Sequence, residues 1–147
     1  MGYTTDFEGF ITSFKPLPKK IEELINGISS TRRMARDIKN YGIEGEFYIR
    51  NDKLGVIDTN KPPQTQPGLW CNWIYDPSNY RIRWNGTEKF YNYVEWLEYL
   101  LNIINIFTEC QFSGVILWNG GDKNDCGTII VKDNQIDNIK DLKHVRV

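Results

Sequence analysis

Histidine and cysteine are nearly missing from this chain of 147 residues, which holds one histidine, His144, and three cysteines, Cys71, Cys110 and Cys126. The cysteines are odd in number and widely spaced, and no C-x-x-C occurs. That argues against zinc, redox and disulfide frameworks and reads as free thiols in a reducing compartment. A single histidine close to the C-terminus leaves Ser–His–Asp and Cys–His catalysis without a partner set. Net charge is lacking too. Eighteen Lys and Arg stand against nineteen Asp and Glu, a formal charge of -1. Proteins that bind double-stranded nucleic acid usually carry a basic excess, and membrane-surface proteins a basic patch, so neither partner is expected. The longest apolar stretch, Trp96 to Phe107, is broken by Glu98, Asn102 and Asn105 and is too short and polar to span a bilayer. The first six residues lack the basic and apolar regions of a signal peptide and the Ser or Thr of a myristoylation signal, so a cytoplasmic protein is expected. Phosphate-cradling glycine loops are absent, and no cofactor is indicated. What the chain does have is aromatic residues, 14%, as five Trp, eight Tyr and seven Phe. That content excludes disorder.

Hydrophobic periodicity lays out the elements. Asp6 to Lys15 alternates like a strand, with Phe7, Gly9 and Ile11 on one face and Phe10, Thr12 and Phe14 on the other. After Pro16 and Pro18, Ile21, Leu24, Ile25 and Ile28 form the stripe of a helix to about Asn26, with Gly27 as its C-cap. Ser29 to Tyr41 reads as a short helix or structured loop and Phe47-Tyr48-Ile49 as a short strand. Asn51 to Gly68 reads as an extended Pro-rich loop, and loops of that length often serve function or an interface. Leu69–Tyr75 and Tyr80–Trp84, joined by Asp76-Pro77-Ser78-Asn79, predict a hairpin. In its first strand Cys71, Trp73 and Tyr75 share one face and Trp70, Asn72 and Ile74 the other. A long helix is predicted over Thr87–Thr108. Its apolar surface is wider than a single sheet contact requires, which points to a second contact with the first helix or another copy of the chain. Phe112–Trp118, Thr128–Lys132 and Gln135–Asp137 complete the strands. The expected fold is α+β: a single domain over residues 1–147, mainly an antiparallel sheet, with one long helix packed across a face and a shorter N-terminal helix.

Few residues suggest chemistry. The basic run Arg32-Arg33-Met34-Ala35-Arg36 would place Arg32 and Arg36 on one helix face, and arginine forks suit phosphate and carboxylate. Arg81 and Arg83 would form a second basic row on the hairpin. The competing reading is ion pairing with Asp37, Glu44 and Glu46. Lys89, in the first turn of the long helix, could help that helix end hold an anion, although Glu88 opposes it. Trp70, Trp73, Tyr80 and Trp84 gather on the hairpin beside the Pro-rich loop and the two arginines, where exposed indoles could stack on a base or sugar. Core or interface packing is the equal alternative. Trp118 belongs to the same set. Phe90, Tyr93, Trp96 and Phe107 read as helix packing, and Phe10, Phe14, Phe47 and Phe112 as strand core. The carboxylate pairs Glu44/Glu46, Glu95/Glu98 and Asp122/Asp125 could support metal or acid–base work only if others converge on them. No metal site is expected.

Gly2-Tyr3-Thr4-Thr5-Asp6-Phe7, Thr31-Arg32-Arg33-Met34, Gly45-Glu46-Phe47-Tyr48, Asn60-Lys61-Pro62-Pro63, Gln66-Pro67-Gly68-Leu69-Trp70-Cys71, Glu88-Lys89-Phe90-Tyr91 and Asp133-Asn134 occur in one order along the chain. Together they resemble a group of small uncharacterised proteins encoded by bacteria, bacteriophages and large DNA viruses. The Q-P-G-L-W-C and E-K-F-Y segments are the most specific. The resemblance implies a soluble, cytosolic protein of phage or viral origin and carries over no catalytic residue. Members of the group often have a Gln-Asp-His element before Asn-x-Pro-Pro. Here the corresponding stretch, Arg50 to Thr59, is short and has no histidine.

The expected function is a non-enzymatic binding protein for a small anionic or nucleotide-like ligand, such as a viral protein that sequesters a host nucleotide signal. The ligand-binding candidates are Arg32, Arg33, Arg36, Trp70, Trp73, Arg81, Arg83, Trp84 and Lys89. Two alternatives stand beside it: a structural or interaction module that forms a homo-oligomer through the long helix, and a carboxylate- or metal-dependent hydrolase.

Overall fold

The computed structural model describes residues 5–121 and 125–140. It is α+β, built on a six-stranded antiparallel sheet in the order β4-β5-β1-β6-β7-β8. The strands are β1 Asp6–Thr12, β4 Trp73–Asp76, β5 Arg81–Trp84, β6 Ser113–Asn119, β7 Cys126–Lys132 and β8 Gln135–Lys140. Between β1 and β4 the chain forms helix α1, Lys19–Ser29, a two-stranded ribbon of β2, Ala35–Arg36, with β3, Val56–Asp58, and a short helix α2, Ile38–Tyr41. Helix α3, Tyr93–Phe107, links β5 to β6.

Alternation settles which side of each strand is covered. Phe7 and Ile11 of β1, Trp73 and Tyr75 of β4, Ile82 of β5, Ile116 and Trp118 of β6 and Ile129 and Val131 of β7 are all buried in one cluster. Ile25 and Ile28 of α1 and Trp96, Leu97, Leu100, Leu101, Ile103 and Ile104 of α3 complete that cluster. The register is consistent throughout: Trp73 lies opposite Trp84, Tyr75 opposite Ile82, Ile11 opposite Ile82 and Ile116 opposite Ile129. The outward set of the sheet includes Phe10, Val115, Leu117, Arg81 and Arg83. Of the four phenylalanines expected in the strand core only Phe112 is buried. Phe10 and Phe47 are exposed, and Phe14 stands clear of the protein. Phe10 falls on the outward parity of β1 and Phe14 follows the end of that strand, so neither can reach the helices.

Several boundaries differ from those expected. The long helix begins at Tyr93, not Thr87, because Lys89 and Asn92 have φ of 59° and 58°, outside the right-handed helical region. Phe90, between them, is buried against Phe7 and Trp73. The N-terminal helix runs on to Ser29 with Gly27 inside it, and Ser30 takes the capping position. There a Cβ on residue 27 would meet the Ile49 side chain at 2.7 Å. Phe47 to Ile49 is not a strand, and the residues around Arg32 are not helical: Thr31 to Met34 run irregularly into β2. Leu69 to Asn72 lie outside β4.

Part of the surplus apolar surface of α3 faces the segment between residues 43 and 69, while Ile106 and Phe107 at its end stay exposed. The Tyr99 hydroxyl donates to Glu46 Oε1 at 2.8 Å and accepts from Gln66 Nε2 at 3.0 Å. Asn92 donates to the Pro67 carbonyl at 2.8 Å, and Phe47 packs edge-on against Phe107. Among the described residues no helix is long and apolar enough to cross a membrane.

Candidate functional site

Buried arginines hold the 43–69 segment in place. Arg33, 2% exposed, donates from Nε to Gln66 Oε1 at 3.0 Å and from its terminal nitrogens to Thr31 Oγ1 at 2.6 Å and the Glu46 carbonyl at 2.8 Å. Its backbone N–H donates to the Leu69 carbonyl at 2.7 Å. No carboxylate pairs with it directly, so burial lowers its pKa to about 10, with the neighbouring Arg36 adding to the effect and Tyr99 opposing it. Arg36, also 2% exposed, lies 3.6 Å from Asp52 and 4.1 Å above the Tyr48 ring. It donates to the Leu54 and Asp52 carbonyls. Arg32 is half-buried, its Nε bonded to the Thr59 carbonyl at 2.9 Å. The arginines therefore bond mainly to loop carbonyls, not to Asp37, Glu44 or Glu46 side chains, and Arg33 and Arg36 have no surface to offer a ligand.

The other candidates separate by sheet face. Arg81 and Arg83 point outward, Arg81 stacked 3.8 Å over the Phe10 ring and Arg83 set 3.7 Å from Asp76. The Asp76 carboxyl is held below its usual range by the Ser78 N–H, with the arginines adding a smaller effect. Trp73 is fully buried, with Nε1 donating to the Tyr93 carbonyl at 2.8 Å, and is a core residue. Trp84 is half-buried against Phe7 and donates to the Thr87 carbonyl at 3.1 Å. Trp118 is 4% exposed.

Trp70 and Lys89 are the two candidates that meet. Trp70, 44% exposed, lines two adjoining cavities that share Trp70, Glu88 and Lys89. One, of about 320 Å³, is walled by Ser29, Ser30, Asn72, Asn85 and Thr87, and its surface is mixed, with more apolar than polar atoms. The other, of about 500 Å³, is walled by Gly68, Leu69, Tyr91 and Asn92 and is largely apolar. Both volumes suit a small-molecule site. Main-chain conformations that favour glycine cluster here, at Gly86 with φ 89° and at the non-glycine residues Lys89 and Asn92. Such strain is concentrated at functional sites.

Asn72 gives the cleft its sharpest chemical feature. The residue is 4% exposed and lines the smaller cavity, and its side-chain amide makes no hydrogen bond to any described residue. The amide atoms keep a little contact with solvent in the cleft, unlike the indole nitrogens of Trp96 and Trp118, which are buried without a partner among the described residues. Neighbouring polar groups are occupied: the Ser29 hydroxyl lies between the Ile25 and Trp73 carbonyls, and Asn85 Oδ1 accepts from the Thr87 N–H at 2.9 Å. Asn72, Asn85, Ser30, Thr87 and Tyr91 were not among the expected site residues. Alternation places Asn72 on the face of Trp70, but these residues lie outside β4 and Asn72 is buried where Trp70 is exposed.

A separate groove runs between Gln64–Pro67 and the solvent face of α3 at Glu95, Glu98 and Asn102. Among the described residues no three His, Cys, Asp or Glu side chains converge as metal ligands. His144 and Asp122 lie outside the described residues. Compared with protein-family models, curated proteins and solved structures, the chain matches none.

Proposed function

We propose that this chain is a non-enzymatic binding protein for a small nucleotide-like ligand, held in the cleft around Trp70. The observation that carries the reading is the exposed Trp70 indole beside the Asn72 amide, which sits on the cleft wall and bonds to no described residue. A flat ring against Trp70 gains stacking energy, and an amide-like ring edge satisfies Asn72. Lys89 supplies a cation for an anionic substituent. The site moves away from the arginine cluster and contracts to Trp70, Lys89 and their new neighbours. In a phage or virus such a protein would sequester a host nucleotide signal.

A thermal-shift panel of nucleosides and nucleotides tests the reading, together with mass spectrometry of ligand that co-purifies. Stabilisation of the wild type and loss of that stabilisation in Trp70→Ala support it. An unliganded protein that no nucleoside or nucleotide stabilises sinks it.

A homo-oligomeric interaction module is the second reading. It draws on the exposed Phe10, Val115 and Leu117 of the outer sheet face and on Ile106 and Phe107 at the end of α3. A monomeric mass by light scattering at high concentration removes it.

A further inference from the structure

We propose that the ligand class of the Trp70 cleft is a nucleoside or nucleoside monophosphate, and that polyphosphates are selected against. This rests on the binding role proposed above and narrows its substrate. Polyphosphate sites need several charge-assisted donors, typically arginine forks, converging on the phosphates. Among the described residues Lys89 is the one cation that lines this cleft, and Glu88 lines the same two cavities. Arg33 and Arg36 are buried in the neighbouring loop, and Arg81 and Arg83 stand on the outward side of the sheet.

The rest of the wall is suited to a base and a sugar. Trp70 and Tyr91, 44% and 66% exposed, line the apolar cavity together and offer exposed aromatic surface to a flat ring. The Asn72 amide offers a donor and an acceptor side by side, the complement of the amide edge of a nucleobase. A single phosphate at Lys89 then balances the one cation, and further phosphates would meet Glu88.

Titration calorimetry on the intact chain tests this with adenosine, guanosine, cytidine and uridine, their 5′-monophosphates and their triphosphates. For at least one base the monophosphate binds as tightly as the triphosphate or more tightly. Trp70→Ala weakens binding by about tenfold or more. Lys89→Gly lowers monophosphate affinity to that of the nucleoside and leaves the nucleoside unchanged. That variant retains its fold because glycine relaxes the positive φ of residue 89. Asn72→Leu changes the ranking among the four bases. A triphosphate that binds ten times more tightly than its monophosphate overturns the inference and leaves the binding role standing. So does Lys89→Gly weakening nucleoside and monophosphate alike. Absence of binding by every compound overturns both, as does a neutral oligosaccharide bound at Trp70 in preference to all of them.

Discussion

Cys71 shows how a single side chain can be fully present in the sequence and yet chemically silent. It is 0% exposed, and burial pushes its thiol up to about 12 against the weaker pull of the Trp73 backbone and the Ser29 hydroxyl. The thiolate is the reactive form. Iodoacetamide at pH 8 should therefore leave Cys71 unmodified in the native protein and label it fully in denaturant, as peptide mass spectrometry would read. Linkage gives the sign of the accompanying pH effect. The folded thiol keeps its proton where the unfolded thiol has lost it, so stability should fall as pH rises from 9.0 toward about 12. Urea titrations at pH 8 and pH 10 check the direction. At this scale the sequence was only half legible. Arginine forks were expected on a phosphate or carboxylate, whereas those of Arg33 and Arg36 are used up on Gln66, Thr31, Asp52 and the carbonyls of residues 45 to 54, and nothing in local spacing could show that. Trp70 was legible as an indole that could stack or pack, and Lys89 as a cation placed in the first turn of a helix that in fact begins later, at Tyr93. Asn72 was legible only as one parity of a strand, because an unused amide is a property of its surroundings.

Among elements, the pairing of β1 with β6 carries the tightest constraint. Gly9 has φ of 103°, and a Cβ there would fall 2.5 Å from the Val115 carbonyl oxygen. The clash is with main chain in the middle of the sheet, so no side chain can swing aside to relieve it. Gly9→Ala should cost about 1–3 kcal/mol, measured as a lowered urea midpoint, and Gly9→Val more. The same reasoning explains which elements were readable. The hairpin β4–β5 and the strands β6, β7 and β8 announce themselves by alternation and by Asp-Pro-Ser-Asn and Asp-Asn turns, and their faces fall where alternation places them. The start of α3 was misplaced because helical periodicity extends back through Phe90. The left-handed residues that stop the helix are a lysine and an asparagine, and a lysine gives no warning of that conformation. Phe10, Phe14 and Phe47 were misread because an aromatic side chain signals apolar surface without saying that the surface is covered.

For the molecule as a whole, the two sides of the sheet have different fates. One side is closed by α1 and α3, while Phe10, Val115 and Leu117 remain exposed on the other. The fold class followed from the order of elements, since hairpin signals outnumbered crossovers. The layout of the site did not, because the Trp70 cleft is assembled from the end of α1, the residues before β4 and those after β5, which the chain brings together only in three dimensions. A nearly neutral total charge also concealed a strong internal arrangement: two arginines inside, two on the outer sheet face and one lysine at the cleft.

The strand order also has a temporal consequence. β1 is the first strand among the described residues and occupies a central position in the sheet, between β5 and β6. On a translating ribosome it emerges long before either neighbour. Its two hydrogen-bonding edges stay open until Arg81–Trp84 and then Ser113–Asn119 have left the exit tunnel. Vectorial synthesis thus gives this sheet no early nucleus at its N-terminal end, and the apolar alternation of Phe7 and Ile11 is exposed to chaperones or to neighbouring nascent chains for most of elongation. Stalled ribosome complexes should show protease protection of β1 appearing in one step once β6 is extruded. Gradual protection while only α1 and the ribbon are outside would contradict that order.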